Sequence, residues 1–131
     1  MRLKYLIILF LICLSFFVNG QVAELLEPQR VDVLPEYKEG ISEWNKYLKK
    51  NLKYPKFAKK NGIEGIVYVS ANISVEGKVL NASIFKGLHE SCDSTALDII
   101  KESLWSPGKI KNNEGDLIPI KTSVVIPITF K

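Results

Sequence analysis

The sequence is poor in the side chains that do chemistry. It holds one histidine, two cysteines and one methionine in 131 residues. A catalytic triad or dyad built on imidazole would depend on His89 alone. Cys92 lies three positions away but no third partner is in view, so no nucleophilic site is read here. No cluster of His, Cys, Asp and Glu has metal-ligand spacing. Gly62, Gly65 and Gly77 are turn glycines, since no strand-to-helix glycine loop surrounds them to cradle a phosphate. The carboxylates are scattered, apart from Glu36, Glu39 and Glu43 near a helix start, where acids are favoured anyway. These absences leave no catalytic residue, no metal site and no cofactor site to nominate.

Long apolar runs are also missing. Leu6 to Val18 is apolar except for Ser15. It makes roughly 20 Å of helix, short of a hydrocarbon core of about 30 Å. With Arg2 and Lys4 before it and Val18-Asn19-Gly20 after it, this stretch reads as a secretory signal over residues 1–20, cut before Gln21. The alternative is that it stays uncut as an inner-membrane anchor. Cys13 follows Ile12, a bulky residue where lipoprotein signals carry a small one. Export implies an oxidising compartment, the periplasm. Cys92 alone would survive the cut, so it has no internal partner and reads as a buried, inert thiol. The formal charge is +4, and about +2 without Arg2 and Lys4. That is too little to argue for nucleic acid.

Residues 21–38, with Pro28 and Pro35, have no sustained period and read as a linker. Residues 39–131 form the domain. Ile41, Trp44, Leu48 and Leu52 recur at helical spacing, and Tyr54-Pro55 ends that helix. Pro55 then opens a short helix through Asn61. From Ile66 the period becomes two. Val67, Val69, Ala71, Ile73 and Val75 point one way, a strand buried on one face. Val75-Glu76-Gly77-Lys78 is a tight turn, and Val79 to Phe85 returns. Asp93 to Leu104 is a second amphipathic helix, with Ala96, Leu97, Ile100 and Leu104 on its apolar face and Ser91, Asp93 and Ser94 as candidate caps. Trp105-Ser106-Pro107-Gly108 stops it, and Lys111 to Gly115 is polar turn. Ile118 to Phe130 is a last β segment, and Pro127 inside it marks an edge strand or bulge. The fold expected is α+β, a three-stranded antiparallel sheet with two main helices on one face.

One charge feature stands out. Lys46, Lys49, Lys50, Lys53, Lys56, Lys59 and Lys60 follow one another with no acid between Glu43 and Glu64. A solvated helical face is the plain reading. A basic patch of Lys49, Lys50, Lys53 and Lys56 toward an acidic partner, anionic lipid or the cell wall is the functional one.

A series of motifs in order resembles the TonB C-terminal domain family. They are WNKYLKKNLKYP from Trp44 to Pro55, the Gly62 to Gly65 segment, ISVEGKV with its turn glycine Gly77, SCDSTALDIIKES, and Trp105-Ser106-Pro107-Gly108 followed by Pro127-Ile128-Thr129-Phe130. The resemblance covers about Tyr37 to Lys131. It implies a non-enzymatic periplasmic domain whose last strand is an exposed edge. An outer-membrane TonB-dependent receptor would pair a short extended peptide with that edge, and another envelope protein could use the same mode. The partner-binding residues it implies are Ser123, Val124, Val125 and Ile126 on the strand, with Asn51 and Tyr54 at the Tyr-Pro corner. The edge could also pair with its own copy to make a homodimer. The chain departs from full-length energy transducers in two ways. No histidine lies between Leu6 and Val18, and the linker reaches at most roughly 60 Å without being a proline-rich rod. Three readings follow: a diffusible binding module, a minimal anchored transducer, or a structural envelope component using the lysine face.

Overall fold

Glycine starts the first helix because the chain must enter it from a conformation other residues avoid. Gly40 has φ 89° and accepts from the Trp44 N–H at 3.0 Å. In the computed structural model, which describes residues 29–131, helix α1 then runs Ile41–Asn51 and the short helix α2 runs Lys56–Lys60 after Pro55. The expected signal, and the expected linker up to residue 28, lie outside the described residues. Among the described residues no helix is long and apolar enough to cross a membrane.

Strand β1 is the two-residue Glu36–Tyr37. Strands β2 (Gly65–Ile73) and β3 (Val79–Lys86) form the expected hairpin. Helix α3 follows at Glu90–Glu102, then β4 (Trp105–Ser106), β5 (Gly108–Lys111), β6 (Leu117–Ile120) and β7 (Thr122–Phe130). The main sheet has the order β3-β2-β7. Both pairings are antiparallel, with Ala71 opposite Ala82 and Val124. This is the α+β, three-stranded arrangement the sequence pattern led to.

The alternation of β2 explains which face is covered. Val67, Val69, Ala71 and Ile73 are buried together with Ile126, Ile128 and Phe130 of β7, Cys92, Ala96, Ile99 and Ile100 of α3, Trp44 of α1, Ala58 of α2 and Trp105. Fully burying a branched or aromatic side chain contributes about 1.5–3 kcal/mol, so this single cluster holds helices and sheet together. The opposite face of the sheet stays open. There Asn72 donates to Asn81 Oδ1 and accepts from Ser123 Oγ, each at 2.5 Å.

Several details differ from the pattern-based expectation. Ile41 fits the helical stripe of α1 but is 74% exposed, because it begins the helix beyond the sheet's cover. Val75 lies in the hairpin turn, exposed, since β2 stops at Ile73. Helix α3 begins three residues early. Its cap is His89, whose Nδ1 accepts from the Ser91 N–H at 3.2 Å, while Asp93 Oδ1 accepts from Leu88 N–H. His89 also stacks on Phe57, so it is a capping side chain rather than a freely solvated one. Leu104 falls after the helix and is exposed, and Ile99 fills the buried position instead.

Two smaller pairings were not foreseen. β1 pairs with β4, setting Tyr37 opposite Trp105, and β5 pairs with β6. The segment before β1 is also fastened to the domain. Val33 and Lys109 exchange backbone hydrogen bonds at 2.9 and 2.8 Å, and Asp32 accepts from the Lys111 N–H at 2.7 Å.

Candidate functional site

Among the described residues, the outer strand β7 has β2 on one side and no strand on the other. Which of its backbone groups face outward follows from Pro127. Antiparallel pairs alternate between residues that exchange hydrogen bonds and residues that do not. Pro127 stands opposite Tyr68 and has no N–H to give β2, which sets it at a non-bonded position. The ladder then alternates from there. Val124, Ile126 and Ile128 bond to β2, whereas Ser123, Val125 and Thr129 aim their N–H and C=O groups at the open edge. Pro127 offers its carbonyl alone.

That edge is the wall of a groove. One cavity, of about 450 Å³, is lined by Pro35, Tyr37, Trp44, Trp105 and the unbroken run Val124 to Pro127, among others. A second, of about 480 Å³, is lined by Leu48, Lys49, Leu52, Tyr54 and Thr129 to Lys131, among others. Both include Ile41, Trp44 and Pro127, so they form one trough. Consecutive strand residues point to opposite faces. A cavity touching four in a row therefore runs along the strand's backbone edge, not over one face of the sheet. Helix α1 and the β1 segment make the far wall.

Aromatic packing holds that wall in place. Tyr37, Trp44, Tyr47 and Trp105 form one ring cluster with centroids 5.1–6.1 Å apart. Trp105 Nε1 donates to Ser103 Oγ at 2.7 Å, and Tyr47 OH donates to the Ile99 carbonyl at 3.1 Å, tying α1 to α3. Burial pushes the Tyr37, Tyr47 and Tyr54 phenols above their usual range. They act as neutral hydroxyls at any physiological pH.

The residues carried over from the resemblance separate in the structure. Ser123 and Val125 present backbone to the edge. Val124 and Ile126 bond inward, and both residues line the first cavity. Tyr54 donates its hydroxyl to the Ile63 carbonyl and packs edge-on against Phe130, while its ring also borders the second cavity. Asn51 stands apart: its amide turns back to the Tyr47 carbonyl at 2.8 Å, finishing α1, and it borders neither cavity. Lys49 reaches the groove, but Lys50, Lys53 and Lys56 project into solvent elsewhere. Ile41, Trp44, Leu48 and Leu52 also line the groove. They were legible only as a helical stripe, and nothing in their spacing tells a core-facing residue from one beside a strand edge.

Cys92 is fully buried, and that burial raises its thiol pKa, so it holds its proton. Among the described residues no group of His, Cys, Asp and Glu is placed to hold a metal ion.

Residues 50–131 match the family model of the Gram-negative bacterial TonB protein C-terminal. Protein TonB of Vibrio cholerae is 31% identical over 80 residues, which cover 60% of this chain and 31% of that protein. The chain thus spans under a third of the length of that relative. Two solution structures of the Helicobacter pylori TonB C-terminal domain are also similar. One is 26% identical with a TM-score of 0.48, covering 69% of this chain and 90% of that one. The other is 27% identical with a TM-score of 0.46, covering 72% and 86%. Domains of this kind are periplasmic and non-enzymatic. The chain belongs to the TonB C-terminal domain family.

Proposed function

We propose that this protein works in the periplasm and binds an extended, TonB-box-like segment of an outer-membrane receptor by strand addition along β7, in the service of transport across that membrane. The observation that carries the reading is the coincidence of an unpaired strand edge with a groove of about 450 Å³ and its continuation beside it. An added strand would take N–H groups from Ser123, Val125 and Thr129 and carbonyls from those residues and Pro127. Every second side chain of the strand would enter the trough. Backbone pairing supplies affinity and the pockets supply selection. A pull along the peptide would load many edge hydrogen bonds together, as force transmission requires. Whether the protein diffuses or stays anchored depends on the fate of residues 1–20. A second use of the chain, as an envelope component, is favoured only by the exposure of Lys50, Lys53 and Lys56.

A photo-crosslinker at Ser123, introduced in living cells, tests the reading. It is expected to trap an outer-membrane β-barrel receptor through that receptor's periplasmic extended segment. A crosslinker at Lys56 is expected to trap much less of it. Exclusive self-crosslinking at Ser123 would instead make the edge a homodimer contact, and would overturn the receptor reading.

A further inference from the structure

The chain enters the domain through a strap that is also a wall of the groove. Pro35, Glu36 and Tyr37 line the cavity that Val124 to Pro127 border from the other side. The strap lies in one antiparallel register on the segment after α3. Tyr37 stands opposite Trp105, Glu36 opposite Ser106 and Val33 opposite Lys109. The same register sets Pro35 opposite Pro107. Neither proline has an N–H to give, so the ladder is interrupted there and the strap is held by two separate clips.

The inner clip is well packed. The Lys38 N–H donates to the Leu104 carbonyl at 3.1 Å, and Tyr37 sits in the ring cluster with Trp44, Tyr47 and Trp105. The outer clip is not. Val33 and Lys109 exchange both backbone bonds, and the Asp32 N–H shares the Lys109 carbonyl at 2.9 Å. Asp32 Oδ2 accepts from the Lys111 N–H. Yet Asp32, Val33 and Leu34 are all exposed, Leu34 at 68%. The outer clip thus buries little apolar surface and its bonds compete with water. A segment of that kind opens locally, well below the stability of the core.

We propose that residues 32–37 are a releasable wall of the groove: the strap opens from its amino-terminal end, and its opening lets go a strand held on β7. This rests on the strand-addition reading and adds a control on release. The order of events follows from connectivity. A pull on the chain ahead of Asp32 loads the outer clip before any other fastening of the domain. Once that clip is open, Pro35 and Glu36 are held by the inner clip alone. Opening the inner clip withdraws Tyr37 from Trp44 and Trp105, and the groove loses one side. The pairing of β7 with β2 is untouched throughout, so the edge is ready to take a strand again when the strap closes.

Two variants of the whole protein test this. Val33→Cys/Lys109→Cys can be shut by oxidation: residues that exchange both bonds stand about 5.5 Å apart, within the Cα separations of about 4.4–6.8 Å that a disulfide spans. Cys92 is fully buried and does not compete. Asp32→Ala/Val33→Pro weakens the outer clip through two exposed residues. The probe is a synthetic peptide of alternating Val and Thr. Its release rate is measured, with amide exchange at Ser123 and Val125 showing that it lies on β7. The oxidised protein is expected to release it roughly three- to ten-fold more slowly than its own reduced form. Asp32→Ala/Val33→Pro is expected to release it about three- to ten-fold faster than the parent, the effect of losing one or two hydrogen bonds. Single-molecule pulling between the chain ahead of Asp32 and Lys131 should show a small early opening in the parent and none in the oxidised form. Equal release rates in all forms, with the β7 amides protected, would leave strand addition standing and overturn the releasable wall. A peptide that protects no β7 amide in any form would sink strand addition itself, and the wall with it.

Discussion

Replacing Val125 with proline is expected to abolish peptide binding while leaving the domain folded, and replacing Ile126 with proline is expected to unfold it. The two residues are neighbours, yet the ladder turns them in opposite directions. The Val125 N–H faces the open edge, so its loss removes no bond to β2. The native Pro127 already shows that the strand accepts a proline at that phase. What the substitution does remove is an edge donor, worth about 1 kcal/mol, and the ring then blocks an incoming strand. A loss of binding of at least about thirty-fold is expected, since the ring displaces the neighbouring strand bonds as well. Ile126 is buried at 4% exposure and stands opposite Val69 in the ladder. Proline there breaks a β2–β7 bond and empties a core position, together costing about 3–5 kcal/mol, much of the stability of a domain this size. Circular dichroism and calorimetry separate the two variants. A folded Ile126→Pro and an unfolded Val125→Pro would mean the phase is inverted.

The largest single loss of stability from adding one methyl group is expected at Gly77. Its φ is 85°, and a Cβ there would stand 1.7 Å from the Trp105 carbonyl oxygen. The Gly77 carbonyl in turn accepts from the Trp105 N–H at 2.8 Å. The hairpin turn is thus pressed backbone to backbone against the strand that carries Trp105. Gly77→Ala must both strain the turn, at about 1–3 kcal/mol, and push this contact apart, at about 1 kcal/mol for the hydrogen bond. Roughly 3 kcal/mol in all would lower Tm by about 12–24 °C in a domain of this size. Gly62 is the control. Its φ is 65° but nothing lies within 4 Å of an added Cβ, so Gly62→Ala is expected to cost only about 1–2 kcal/mol. Equal losses at the two sites would show that Trp105 is not held against the turn. Because Trp105 lines the groove, Gly77→Ala is also expected to weaken peptide binding in whatever fraction stays folded.

The parts of this fold with a strong period were legible in the sequence. The two-residue alternation from Val67 to Ile73 identified the central strand and its buried face. Gly77 announced the turn, and Pro127 announced the edge, because a missing N–H is a chemical fact independent of context. The parts set by tertiary contact were not legible. β1 and β4 are two residues each, too short to show any period, and they exist because Tyr37 and Trp105 pack in one aromatic cluster. Ile41 and Leu104 fit helical stripes yet lie exposed, since a stripe does not say where the sheet beneath it ends. The same limit hid the groove. Val124 and Val125 differ in the direction of their backbone groups as well as in the face their side chains take, and the backbone direction appears once Pro127 is set opposite Tyr68.

Strand addition at β7 is tested most directly by backbone amide hydrogen exchange, with and without a peptide from the periplasmic segment of an outer-membrane receptor. Without peptide, the amides of Ser123, Val125 and Thr129 are expected to exchange quickly and those of Val124, Ile126 and Ile128 slowly. With peptide, the first set should become protected, in alternation along the strand, while the second set barely changes. A bound peptide that leaves Ser123, Val125 and Thr129 fast, and instead protects the lysine face of α1 and α2 or the open face of the sheet, would contradict the account.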